Sequence, residues 1–162
     1  MRHPSLTPLS HDHHHGLALG LRCRKQALGR LKPAGAEGLR LRAQEFREFF
    51  DKQLTPHFHA EEKILFPLMR EAVPHSGPLV DELIRDHEAF RQAIHKLGAG
   101  AALSKLIFDI GDLLERHIRR EERELFPLFE KYVDSDKART LAEDIKRVLA
   151  EAASTLPAKS TP

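Results

Sequence analysis

The sequence predicts an all-α fold, an antiparallel up-down four-helix bundle with an extra C-terminal helix. Three observations predict it. Apolar residues recur at helical spacing in four long segments, short breakers rich in proline and glycine separate them, and no run alternates as a strand would. The composition agrees: 41% hydrophobic, 31% charged and 6% aromatic residues in a chain of 162 suit amphipathic helices in one domain better than a β-sandwich.

Residues 1–9, with Pro4 and Pro8 and no periodicity, read as a flexible N-terminal arm. The bundle spans residues 10–133. Its first helix starts at Ser10 or Asp12, runs through Leu17, Leu21 and Leu28, and ends at the Lys32-Pro33-Ala34-Gly35 breaker. The second starts near Gly38 and carries Phe46, Phe50, Leu54, His57, Glu61, Leu65 and Leu68 on one side, ending before Pro74. Pro56 and Pro67 lie inside it, where a missing N–H predicts kinks. After the turn at 74–78, Val80, Leu83, Ile84, His87, Phe90, Ile94 and Leu97 mark a third helix that stops at Gly98 and Gly100. The fourth runs from about Ala101 to Val133 with Leu106, Ile110, Leu113, Leu114, His117, Glu121, Leu125 and Leu128 on its stripe. A charged helix over 134–153 docks outside the bundle, and residues 154–162 form a tail.

Several function classes drop out early. Lys and Arg total 26 against 24 acidic residues, so a formal charge of +2 leaves no electrostatic footprint for nucleic acid or an anionic membrane. No stretch reaches the roughly 18 apolar residues of a membrane span, and the first 15 residues lack the apolar run of a signal peptide, so a soluble, cytoplasmic protein is expected. Cys23 is the only cysteine, which excludes an intramolecular disulfide and a thiolate zinc cluster. The abnormal count is histidine, at 11.

An internal repeat gives those histidines a purpose. The segments His57–Leu68 and His117–Leu128 both read H-x-x-x-E-E-x-x-L-F-P-L. Four residues turn a helix by about 400°, so His57 with Glu61, and His117 with Glu121, lie one turn apart on the face that also carries the leucines. A single such pair is commonly an exposed contact worth a few tenths of a kcal/mol. Two pairs on apolar stripes are different, because an unpaired buried carboxylate costs several kcal/mol, and metal ions remove that cost.

The other two helices each offer a histidine to the same interior. His87 stands on the stripe of Leu83, Phe90 and Ile94. In the first helix, Leu17 and Leu21 follow His14 by three and seven, as Phe90 and Ile94 follow His87, which favours His14; the dipeptide Asp12-His13 matches Asp86-His87, which favours His13. The candidate ligands are therefore His14 or His13, His57, Glu61, His87, His117 and Glu121. Four imidazoles and two carboxylates suit two divalent ions bridged by the glutamates at roughly 3.5–4 Å, with iron, manganese or zinc as candidates. His59, His75 and His95 read as residues at the surface or bonded behind the ligands, Tyr132 as a surface residue, and Glu62 and Glu122 as solvated or bonded to outer groups.

These motifs resemble the hemerythrin-like family, the HHE cation-binding domains. The resemblance covers roughly residues 8–133 and rests on the doubled motif together with Leu9-Ser10-His11-Asp12-His13-His14 before Gly16-Leu17. It implies a non-haem di-iron centre, oxo- or hydroxo-bridged, that binds dioxygen or a related small molecule such as peroxide or nitric oxide. The iron assignment comes from the resemblance, since the donor set alone also suits manganese or zinc. The chain departs from the oxygen carriers of the family in two places: Arg91 stands where they have a further histidine, and Glu121 lies four residues after His117 where they have an aspartate five after. Six ligands instead of seven imply an open position on one metal and shift the expected role from oxygen carriage to sensing of oxygen, iron, redox or nitrosative stress. The alternatives are an enzyme reducing peroxide or nitric oxide, and a bundle that metal merely locks.

Overall fold

The computed structural model describes residues 1–97 and 102–155. A short 3-10 turn, Pro4–Leu6, leads into α1, Thr7–Ala27. The segments Gly35–Phe49, Phe50–Leu54, Thr55–Ala60, Glu61–Leu65 and Phe66–Ala72 run head to tail as one rod, α2 (35–72). After a turn comes α3, Gly77–Lys96. Leu103–Arg120, Glu121–Leu125 and Phe126–Tyr132 form α4 (103–132), and Ser135–Thr155 forms α5. Among the described residues there is no strand, and no helix is long and apolar enough to cross a membrane. The expected ends at Gly98, Gly100 and Ala101 lie outside the described residues; so does the tail beyond Thr155, while Ser154 and Thr155 belong to α5.

The interior prolines do not break their helices. Each is preceded by a π turn in which Thr55, Phe66 and Phe126 donate to the carbonyls of Phe50, Glu61 and Glu121, five residues back. Pro56, Pro67 and Pro127 have no N–H to give, so widening the ladder by one residue keeps the rod continuous. Two of these π turns begin at the glutamates of the repeat, Glu61 and Glu121.

The N-terminal segment is not a flexible arm. Leu6 and Leu9 are fully buried in a cluster with Phe126, Phe129 and Leu141, and the Ser5 hydroxyl donates to the Ala138 carbonyl at 2.8 Å. Helix α1 starts at Thr7, ahead of the expected Ser10 or Asp12, and its inward stripe differs from the expected one. Leu21 and Leu28 are exposed; Leu9, His13, Gly16, Gly20 and Cys23 face inward, at steps of four, three, four and three. The stripe is built of small residues because α1 lies close against α4. A Cβ on Gly20 would stand 2.9 Å from the Gly111 carbonyl oxygen, and one on Gly111 2.7 Å from the Gly20 carbonyl oxygen.

Two apolar clusters flank a polar layer. Leu65, Phe66, Met69, Leu83, Phe126 and Ile145 represent one, which takes in α5; Phe46, Phe58, Phe90, Ile110, Leu114 and Ile118 represent the other. Phe58 and Phe90 from one side, and Phe66 and Phe126 from the other, pack directly on the histidine rings between them.

Candidate metal centre

The polar layer consists of His13 from α1, His57 and Glu61 from α2, His87 from α3, and His117 and Glu121 from α4, all buried. Their ligand-type atoms form two groups within 4.8 Å of one another: His13, His57, Glu61 and Glu121, and Glu61, His87, His117 and Glu121. Both glutamates belong to both groups. The repeat thus brings together the residues it nominates, with His13 as the first-helix member. His14, favoured by the spacing to Leu17 and Leu21, is exposed and stands outside both groups. The spacing misled because Leu21 is itself on the outer face.

Each ring is oriented by a carboxylate behind it. The Nδ1 atoms of His13, His57, His87 and His117 lie 2.7, 3.1, 2.8 and 3.2 Å from Glu122, Asp12, Glu62 and Asp86 respectively. An ionised carboxylate only accepts, so Nδ1 carries the proton and the Nε2 lone pair faces inward, as a metal ligand requires. The inner atoms lack hydrogen-bond partners of their own: both oxygens of Glu61 and of Glu121, and Nε2 of His87 and His117. They are nonetheless crowded, with His57 Nε2 2.9 Å and His87 Nε2 3.2 Å from the Glu61 oxygens, and His13 Nε2 3.0 Å from Glu121. Carboxylate oxygens and imidazole nitrogens converging in one buried layer call for positive charge between them, which protons on the rings or a bound cation can supply.

The electrostatics agree. Around the six carboxylates Asp12, Glu61, Glu62, Asp86, Glu121 and Glu122, the guanidinium contacts come from Arg2 to Glu122, Arg91 to Glu62 and Arg120 to Asp86. Burial alone would lower the imidazole pKa values, but bonding to carboxylates prevails, and His13, His57 and His87 are held above their ordinary value. Glu61 is held well below its own, since the His57 and His87 rings outweigh its burial. Glu122 is likewise drawn down to about 2, burial being overcome by His13, Ser10 and Arg2. Such a field calls for positive charge in the layer.

Residues 6–129 match the family described as hemerythrin HHE cation binding domain. The chain belongs to that family. Searches of curated proteins and of solved structures give no match. For this HHE domain, cation binding and the buried His/Glu groups fit one another, and the orphaned inner oxygens and nitrogens provide the structural reason.

Several residues turn out otherwise than their sequence context suggests. Arg91 is turned away from the layer: its guanidinium donates to Glu62 at 2.8 Å, its side chain is 40% exposed, and each group offers four atoms, so the two sides are alike. Asp12 and Asp86 were not among the candidates; the matched Asp-His dipeptides were the available signal. Glu62 and Glu122 bond to outer groups as expected, and those groups include the histidines themselves. Nothing in the sequence ties Ser10 or Arg2 to Glu122, yet both hold it, at 2.6 and 2.5 Å. His59, His75, His95 and Tyr132 are exposed.

Proposed function

We propose that this HHE domain is a non-haem di-iron protein that binds or senses dioxygen or a related small molecule. One observation carries the reading: two adjoining groups of four ligand atoms share Glu61 and Glu121 and leave those oxygens without another partner. His13 and His57 would hold one ion and His87 and His117 the other, with Glu61 and Glu121 within reach of both. Bound iron would supply reversible electron exchange and affinity for small diatomic ligands. The chain's own part is positional: Asp12, Glu62, Asp86 and Glu122 fix the ring tautomers, and Phe58, Phe66, Phe90 and Phe126 exclude bulk water from the rings. Each group offers four protein atoms, and iron held there would supply the affinity for a small-molecule ligand.

Elemental analysis of protein expressed with iron, together with its near-ultraviolet spectrum, tests the reading. Two irons per chain and a charge-transfer band that azide shifts saturably are expected. Metal content near zero after iron supplementation overturns it. Two tightly held ions with no response to azide, dioxygen or nitric oxide would leave a metal-locked bundle instead. Turnover of peroxide or nitric oxide with an added reductant would mark the same centre as an enzyme.

A further inference from the structure

Outside the polar layer, the outer face of α1 carries a second kind of histidine cluster. His11 and His15 are both exposed, one helical turn apart, with ring centroids 4.9 Å apart and planes inclined by 78°. Asp12, half-buried beside them, completes a group whose three ligand-type atoms lie within 4.8 Å of one another. We propose that His11, Asp12 and His15 form a further metal site, on the protein surface, that takes one borderline divalent cation such as Zn2+, Cu2+ or Ni2+.

The argument rests on helix geometry and ligand chemistry. Side chains four apart on a helix share a face with their Cβ atoms about 6 Å apart, which lets two imidazoles close on one ion. Two nitrogens each about 2.1 Å from a tetrahedral ion stand roughly 3.4 Å from each other. The group's atoms already lie within 4.8 Å of one another, at most about 1.4 Å wider than that, and rotation of two exposed side chains can close such a gap without moving backbone. Two imidazoles and one carboxylate select zinc, copper or nickel over the oxygen-seeking calcium and magnesium. Asp12 also accepts from His57 Nδ1 at 3.1 Å, and a carboxylate has acceptor capacity for both roles. The surface ion would therefore sit one carboxylate away from the buried layer. His14, equally exposed, does not belong to the group and serves as the control.

The test uses the full chain loaded with iron and freed of excess metal, titrated with Zn2+ by calorimetry, with bound ions counted by native mass spectrometry. The wild type should take one Zn2+ more than the His11→Ala/His15→Ala double variant. Each single variant should weaken that step about tenfold or more, because one imidazole alone loses the chelate advantage. His14→Ala should leave it unchanged. All of these are exposed helix positions where alanine is well tolerated, and circular dichroism verifies folding. With Cu2+ as probe, electron paramagnetic resonance should show coupling to two imidazole nitrogens in the wild type and not in the double variant. Equal stoichiometry and affinity in wild type and double variant overturn the proposal, as does loss of the ion on His14→Ala. The difference of one ion is read whatever metal fills the buried groups, so absence of iron would sink the di-iron reading without touching this one.

Discussion

On the α1–α2 side of the polar layer His13 leans on Glu122 and His57 on Asp12; on the α3–α4 side His87 leans on Glu62 and His117 on Asp86. Each side takes its aspartate from an Asp-His dipeptide and its glutamate from the second position of a Glu-Glu pair, so the polar plan is the same. The surroundings are not. His87 is stacked on Phe58 at 3.7 Å and faces Phe66 at 5.6 Å, while His117 meets the edges of Phe58 and Phe90. His13 stacks on Phe126 at 5.5 Å, and its carboxylate partner is tied by Ser10 and Arg2 to the N-terminal segment. Both sides carry carboxylate bonds that arginines back; the α3–α4 side adds the closer aromatic stacking on His87, and the α1–α2 side adds the ties of Glu122 to Ser10 and Arg2 of the N-terminal segment. Packing is indifferent to salt and pH, whereas charged bonds near solvent respond to both.

The largest effect should come from breaking what the two sides share. Glu61→Ala or Glu121→Ala removes a ligand atom from both groups at once, so metal content should fall from two ions to near zero. His13→Ala or His87→Ala removes a ligand from one group and should leave one ion. Elemental analysis of folded variants decides this; a Glu61→Ala protein that keeps two ions would show that the sides do not depend on a common carboxylate.

Chelation should both lower the melting temperature and move the pH at which the protein is most stable. In the ion-free chain His13, His57 and His87 sit above their ordinary value of 6.5, on both sides of the layer. A raised value contributes stability that is full below 6.5 and is lost as pH climbs through the folded-state value. Glu122, about 2 when folded against an ordinary 4.5, contributes fully above 4.5 and loses that share as pH falls towards 2. These groups place the ion-free optimum between about 4.5 and 6.5. Ligation needs imidazoles without the second proton, so the loaded protein should be most stable at higher pH. Melting curves across pH, with and without chelator, check the shift; coincident optima would mean that no ion resides in the layer.

The contrast between the sides also explains how far the sequence could be read. Period and spacing placed His57, Glu61, His87, His117 and Glu121 together because their stripes are marked by large apolar residues such as Leu65, Phe90 and Leu125. The α1 stripe was misread because close approach to α4 demands Gly16, Gly20 and Cys23, residues that carry little hydrophobic signal, while the conspicuous Leu21 and Leu28 lie outside. The spacing to Leu21 therefore points to His14, one position out of phase with the inward stripe that carries His13. Arg2 and Ser10 were illegible for another reason: they lie about 110 to 120 residues from Glu122, a pairing that no local pattern encodes. The π turns at Glu61 and Glu121 were half visible, since the prolines announced a missing donor but not whether the helix would bend or widen.

Removing a carboxylate behind a ring should cost less than removing a ligand. Glu122→Gln and Glu62→Gln each leave the imidazole without an anionic acceptor, for which about 10–100-fold weaker metal affinity is expected. The comparison sharpens if the losses differ. Phe58 and Phe66 still hold the His87 ring after Glu62→Gln, while only Phe126 stacks on His13 after Glu122→Gln, so the Glu122 variant should be the weaker binder. Competition with a chelator of known affinity measures both, and a larger loss at Glu62 would reverse the assignment of packing and bonding to the two sides.

The smallest effects should come from the arginines behind those carboxylates, and they test the same asymmetry one step further out. Arg91 touches Glu62 at 2.8 Å and Glu88 at 3.8 Å with a side chain 40% exposed, and ion pairs of that kind contribute about 0–1 kcal/mol. Arg91→Ala should therefore change metal affinity by no more than about fivefold, and Arg91→His should not add a ligand, since the residue is directed at Glu62 and not into the layer. Arg2 reaches the Glu122 carboxylate, the Glu122 carbonyl and Glu130, and lies 5.0 Å over the Phe126 ring that stacks on His13. It braces both the acceptor and the aromatic wall of one side, so Arg2→Ala should weaken metal binding more than Arg91→Ala, and added salt should shrink the gap by screening the wild-type contacts. If Arg91→Ala proves the more damaging, or salt leaves the two variants equally far apart, the α1–α2 side is not the one that depends on polar ties to the surface.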